Sequence, residues 1–119
     1  MFIGVGEIMY FVPHRLEAAG WYARLFNTEI IQLEDPEYFF LRVGSQEVWF
    51  HMVDAKMPGG GAGQVAYWEV EDFDQALAHA QNLGAHLYRG PLDREDGTFM
   101  CQVKDPFGNL IGMFGPKPA

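Results

Sequence analysis

The sequence is poor in cysteine and has no long hydrophobic run. One cysteine, Cys101, stands among 119 residues, so neither an intrachain disulfide nor a thiolate metal cluster can form. Its apolar neighbours favour a small buried side chain over a catalytic thiol. No apolar run approaches the roughly 20 residues of a membrane helix, and the N-terminus shows no secretory pattern. We therefore expect a cytoplasmic protein with no membrane partner.

Positive charge is also scarce. Eight Lys and Arg residues stand against 16 Asp and Glu, which gives a formal net charge of −8. Because no segment clusters basic side chains, we expect no nucleic-acid partner. A small organic molecule remains the natural ligand, although the charge does not identify it.

The chain reads as two similar halves, each with one strand, one amphipathic helix and three further strands. At an offset of 58 residues, Val12 of the first half matches Val70 of the second. We therefore predict one domain over 1–119. Module one covers about 1–57, a flexible Gly-rich connector covers 58–63, and module two covers about 64–116.

The two predicted helices carry recognisable ends. An apolar stripe marks the first helix, and Asn27 is suited to end it in a left-handed conformation. Asp72 begins the second helix with Gln75 as its capping-box partner, and Gly84 ends it. The stripe of the first helix consists of Leu16, Ala19, Tyr22, Ala23 and Phe26.

Three motifs resemble those of one family. They are Trp21–Phe26 on the first helix, Tyr67–Ala76 at the start of the second helix, and Val103–Ile111 around Asp-Pro-Phe-Gly-Asn. In this order and spacing they resemble the glyoxalase/bleomycin resistance protein/extradiol dioxygenase (vicinal oxygen chelate) superfamily. The resemblance implies an α+β fold in which two βαβββ modules, related by a pseudo-twofold, form a curved mixed sheet around a cup.

Alternation along the strands predicts which side chains face that cup. Ile8, Tyr10 and Val12 are expected under the first helix, which aims Glu7 into the cup. His51 is expected opposite Glu7, where the two form a general base, a hydrogen-bond anchor or a structural ion pair. The ligand-binding residues expected in the cup are Met9, Phe11, Trp49, Tyr67, Glu69, Gln102 and Phe114.

Metal-dependent members of the superfamily use four equivalent ligand positions. Glu7 and His51 would fill two of them. The third falls on Val65, which cannot bind a metal unless a bulge substitutes Gln64. The fourth falls on Gly112, which has no side chain. We therefore expect no metal cofactor, while a divalent metal held by Glu7, His51 and Gln64 stays possible.

The resemblance is compatible with three functional hypotheses, of which we favour the first. The first is a metal-free protein that binds small molecules in an apolar aromatic cup, as drug-sequestering bleomycin resistance proteins do. The second is a lyase or isomerase, with or without a metal, in which Glu7 and His51 are catalytic. The third is a structural partner with an empty cup. Many members are dimers, so we expect a homodimer; the sequence names no ligand and leaves open whether modules pair within the chain or between subunits.

Overall fold

A computed structural model describes residues 1–118 and divides the chain into two compact units, one ending at Gly59 and the next beginning at Gly60. Each unit has one strand, one helix and three further strands, which confirms the predicted α+β class. The first unit contains β1 (Glu7–Val12), α1 (Arg15–Phe26), β2 (Ile31–Gln32), β3 (Phe39–Val43) and β4 (Gln46–Met52). The second contains β5 (Tyr67–Glu69), α2 (Phe73–Asn82), β6 (His86–Asp93), β7 (Thr98–Lys104) and β8 (Leu110–Pro116).

Both sheets follow the same topology. The strand orders are β1-β4-β3-β2 and β5-β8-β7-β6. In each sheet the first strand pairs in parallel with the last, and the other pairs are antiparallel. A parallel pair needs a long crossover, and each crossover here contains the helix. The helix of each unit packs on the sheet of the same unit. Within each unit, one face of the sheet is therefore covered by that helix, and we call the opposite face the helix-free face.

Aromatic rings fill the space between α1 and its sheet. The Tyr22 ring stacks on Tyr10 of β1, with 4.7 Å between ring centroids, and lies 5.5 Å from the ring of Phe50. Val12 and Tyr22 are fully buried. This packing confirms that Tyr10 and Val12 face the helix. The predicted stripe is less accurate, since Leu16 is 64% exposed while Trp21 is buried.

The helix ends agree with the sequence prediction. Asn27 ends α1 with φ 54° and ψ 50°, in the left-handed region. The Asp72 side chain accepts a hydrogen bond of 3.0 Å from the Gln75 backbone N–H at the start of α2. Gly84 follows α2 with φ +97°. Within residues 1–118 no helix has the length and hydropathy that crossing a membrane requires.

A buried carboxylate shapes the turn between β7 and β8. Asp105, 3% exposed, accepts hydrogen bonds of 2.8 Å from the backbone N–H groups of Phe107 and Asn109. The Asn109 side chain in turn accepts a bond of 3.0 Å from Gly60 N–H. Gly61 lies so close to Leu110 that a Cβ there would clash. The Gly-rich segment predicted as a flexible connector is therefore fixed to the second unit at these glycines.

Strand β6 continues through Gly90-Pro91 to Asp93. Its pairing with β7 shifts register on both sides of Arg89. Gly90 has φ +88°, and a Cβ on it would lie 2.8 Å from the Met100 carbonyl oxygen. β6 is an edge strand, which is where sheets tolerate proline.

Replacing Asp105 by Ala should lower the free energy of unfolding by roughly 3 kcal/mol, because two backbone N–H groups lose their acceptor. Urea unfolding followed by circular dichroism measures the change. Asp35→Ala is the matched control, since Asp35 makes the same kind of bond to Glu37 N–H in an exposed turn. Equal losses in the two variants would contradict this role for burial.

Candidate functional site

The helix-free face of the first sheet carries three cross-strand pairs. Glu7 pairs with Glu47, Met9 with Trp49 and Phe11 with His51 along parallel β1 and β4. Directly opposite residues of paired strands point to the same side of a sheet, so all six side chains share this face. The alternate residues, such as Val48 and Phe50, are buried on the side of α1.

The register separates Glu7 from His51 by four residues along the strands. At about 3.3 Å per residue, that is about 13 Å, which is too far for a hydrogen bond or a shared metal ion. The prediction that the two side chains face each other is therefore wrong, although they lie on the same face. His51 Nδ1 instead donates to the Met52 carbonyl at 2.7 Å, and its ring lies 5.2 Å from that of Phe11.

A carboxylate that the sequence interpretation missed lies beside Glu7. Glu47 accepts a hydrogen bond of 3.0 Å from the Trp49 indole and one of 3.3 Å from Arg42. These bonds, with that from Trp49 as the larger cause, lower the pKa of Glu47 below its ordinary value. The Trp49 ring stacks on Phe40, 4.8 Å away. Extending the alternation two residues back from Trp49 would have placed Glu47 on this face.

The second sheet carries a continuous row on its helix-free face. Arg89, Gln102, Gly112 and Tyr67 stand directly opposite one another across β6, β7, β8 and β5. The Tyr67 ring lies over Gly112, and Gln102 Nε2 donates a hydrogen bond of 2.9 Å to the Tyr67 hydroxyl. The Tyr67 side chain, hydrogen-bonded to Gln102, therefore covers the centre of this face.

The adjoining row is mainly apolar. It contains Leu92, Met100, Phe114 and Glu69. The guanidinium of Arg94, another residue that sequence reasoning missed, lies 4.7 Å above the Phe114 ring. Four of the predicted ligand-binding residues thus lie together on two neighbouring rows of the second sheet: Tyr67, Glu69, Gln102 and Phe114. The strand register of the structure was needed to place them so.

A solvent-open concavity of about 490 Å³ lies at the first of these rows. Its walls include Tyr67 and Gln102 of the row itself, Arg89 and Tyr88 of β6, and Gln64 from the segment before β5. Its volume lies within the range of small-molecule sites in proteins.

The residues present do not fit the divalent metal that the family resemblance implies. A Cβ at Gly112 would lie 2.6 Å from the Tyr67 ring, so this position has neither a ligand nor space for one. Gln64 precedes β5 and does not lie in the strand. Across residues 1–118, no three His, Cys, Asp or Glu side chains are grouped to hold a metal.

The repeat places the second metal position on a residue other than His51. Met9 pairs with Trp49 in the first sheet, and its counterpart 58 residues later, Tyr67, pairs with Gly112 in the second. The residue of the first unit that corresponds to Gly112 is therefore Trp49. His51 instead corresponds to Phe114, one alternation further along β4.

Comparisons with known proteins agree with this architecture. A sequence profile of the Glyoxalase/Bleomycin resistance protein/Dioxygenase superfamily matches residues 4–113. The chain belongs to this superfamily. No curated protein sequence matches the chain.

Several solved structures have the same fold. A putative glyoxalase family protein from Bacillus anthracis superposes with a TM-score of 0.75 at 18% identity, covering 98% of both chains. The fosfomycin resistance protein FosX from Listeria monocytogenes gives 0.75 at 13% identity, covering 98% of this chain and 96% of its own. A mobile-metagenome protein from V. Pseudocholerae gives 0.75 at 16%, covering 99% and 98%. At these identities the likeness shows the fold alone.

Cys101, the single cysteine of the chain, lies outside the candidate site. It is 1% exposed in β7, on the helix-covered face beside Met113. Burial raises the pKa of its thiol to about 11. The side chain therefore packs as a small apolar group, and no nucleophilic role follows from its position.

The Cys101 thiol should react slowly with iodoacetamide. With a pKa of about 11, only about one thiol in a thousand is ionised at pH 8, and the folded protein also shields it. Mass spectrometry of timed samples measures the rate, with protein unfolded in urea as the control. Equal rates in folded and unfolded protein would contradict the assignment.

Gly112→Ala should lower the free energy of unfolding by about 1–3 kcal/mol, because the new methyl group meets the Tyr67 ring. In the double variant with Tyr67→Ala, the Gly112 substitution should cost less, since the ring is gone. Urea unfolding of the four proteins in this cycle measures the coupling. Additive losses would show that the Tyr67 ring does not occupy the space over Gly112.

Proposed function

We propose that this protein binds a small organic molecule, without a metal, on the helix-free faces of its sheets. The observation that carries the proposal is the Tyr67 ring over Gly112. At the position where metal-dependent relatives would place a ligand, this chain has an aromatic ring whose hydroxyl is held by Gln102. A ring with a fixed polar end suits contact with an organic ligand better than with an ion.

The surroundings of each helix-free face support the proposal. In the first sheet, Trp49 stacked on Phe40 provides a flat aromatic surface next to Met9, which is 41% exposed. In the second sheet, the concavity next to Tyr67 has the volume of a small-ligand site. Aromatic walls with a few polar groups are typical of sites for flat organic ligands. We assign ligand contact to Met9, Phe11 and Trp49 within the first unit, and to Tyr67, Glu69, Gln102 and Phe114 within the second.

The enzyme alternative rests on Glu7 and His51. Because about 13 Å separates their positions along β1 and β4, a mechanism that needs both as one acid–base pair gains no support from the register. Each side chain stays a predicted catalytic residue of this alternative, and turnover of a bound compound would favour the lyase or isomerase function.

Binding of an aromatic ligand should be insensitive to chelation. Screening a library of aromatic compounds by thermal shift, with and without EDTA, should find ligands that raise the melting temperature equally in both conditions. Elemental analysis of protein purified without chelators should find no stoichiometric transition metal. A stabilisation lost in EDTA and restored by Mn²⁺ or Zn²⁺ would contradict the proposal.

A matched pair of variants locates the site. Tyr67→Ala should weaken binding of the best compound at least about tenfold, because it removes both the ring and the hydroxyl. Tyr38→Ala removes a 55% exposed ring near the turn between β2 and β3 and should leave binding unchanged. If the two variants behaved alike, the ligand would not contact Tyr67.

We also propose that the protein is a cytoplasmic homodimer. Exposed apolar side chains support association: Phe2 and Ile3 before β1 are completely exposed, as expected of a segment that lacks its partner surface. Leu87 and Leu92 of edge strand β6 are 42% and 46% exposed.

Light scattering coupled to size-exclusion chromatography should give about twice the monomer mass of 13.5 kDa. Phe2→Ser with Ile3→Ser should reduce the dimer fraction at low protein concentration. A monomer at all concentrations would contradict the homodimer.

A further inference from the structure

We propose that the concavity of the second unit binds the carboxylate of a small aromatic acid, with Arg89 and the Tyr67 hydroxyl as the two groups that hold it. The inference rests on the proposed function and adds the chemical class of the ligand. It follows from the row Arg89, Gln102, Gly112 and Tyr67, which places a cation and an oriented hydroxyl on one wall.

The position of Arg89 in β6 brings this residue to the concavity. Arg89 lies between two register shifts in β6, and such irregularities re-aim side chains. It stands opposite Gln102 and lines the same concavity as Gln102 and Tyr67. Arg89 therefore lies next to Gln102, whose amide donates to the Tyr67 hydroxyl.

Arg89 contributes a positive charge to the concavity. In a chain with a formal net charge of −8, Arg15, Arg42 and Lys117 lie within 4.0 Å of carboxylates. Arg89 forms no ion pair with any carboxylate among residues 1–118. A guanidinium is a permanent cation. The residue at the concavity therefore carries a positive charge that no carboxylate within the described part of the chain pairs with.

The Tyr67 hydroxyl can donate a hydrogen bond to a ligand. Gln102 Nε2 donates to the hydroxyl oxygen at 2.9 Å, and this bond uses one lone pair of that oxygen. The hydroxyl proton is then available to donate to a ligand. A carboxylate has two oxygens, so it can accept from the guanidinium and from the phenol together.

Two tyrosines among the walls of the concavity suit an aromatic ligand. Tyr67 and Tyr88 line the concavity beside Arg89, and its volume is about 490 Å³. Lys104 Nζ lies 5.3 Å from the Tyr88 ring and adds positive charge at that wall. Aromatic walls beside two anion-binding donors match an aromatic ring that bears a carboxylate.

The experiment compares 2-naphthoate with 2-naphthamide, two probes of nearly equal shape that differ in charge. Isothermal titration calorimetry should show that the wild-type protein binds the acid at least about tenfold more tightly than the amide. Arg89→Gln should remove this preference. Tyr67→Phe keeps the ring over Gly112 and should weaken binding of the acid alone, by about three- to tenfold.

Lys117→Gln is the matched control, because it removes one positive charge from the second unit where Lys117 lies 4.0 Å from Asp74 of α2. It should keep the preference for the acid. Equal binding of acid and amide, or an unchanged preference in Arg89→Gln, would overturn the inference and leave the proposed function standing. If neither probe bound, the inference would also fail, while the comparison with and without EDTA would still decide the proposed function.

Discussion

The parallel pairing of β1 with β4, and of β5 with β8, is the constraint on which the rest of the structure depends. A parallel pair requires a crossover, and the helix in that crossover covers one face of the sheet. Side chains then alternate between a buried helix side and a helix-free side. The strand rows of the candidate site lie on the helix-free side because of this pairing, and the same register brings Tyr67 over Gly112.

The sequence predicted the elements and their faces well, for a physical reason. Burial under a helix demands apolar side chains at every second strand position, so Tyr10 and Val12 identify the covered face of β1 directly. Capping groups such as Asp72 and Asn27 act within a few residues of where they stand. Interactions of such short range leave a clear pattern in the chain.

Register was harder to predict, because it depends on contacts between distant segments. Alternation assigns a side chain to a face but does not say which residue stands opposite it, so His51 was expected beside Glu7 although it pairs with Phe11. The irregularity around Gly90 in β6 likewise depends on its fit to Met100 of the next strand. The row that joins Arg89 to Tyr67 could be recognised only once both kinds of contact were known.

The central claim is that an organic ligand, rather than a metal ion, is bound beside Tyr67. Anomalous diffraction from crystals soaked in MnCl₂ tests it most directly, because the ion and the phenol are seen in one experiment. We predict no anomalous peak within coordinating distance of β5 and β8, with the Tyr67 hydroxyl still bonded to Gln102. An ion bound there, with the phenol moved away from Gly112, would contradict the account.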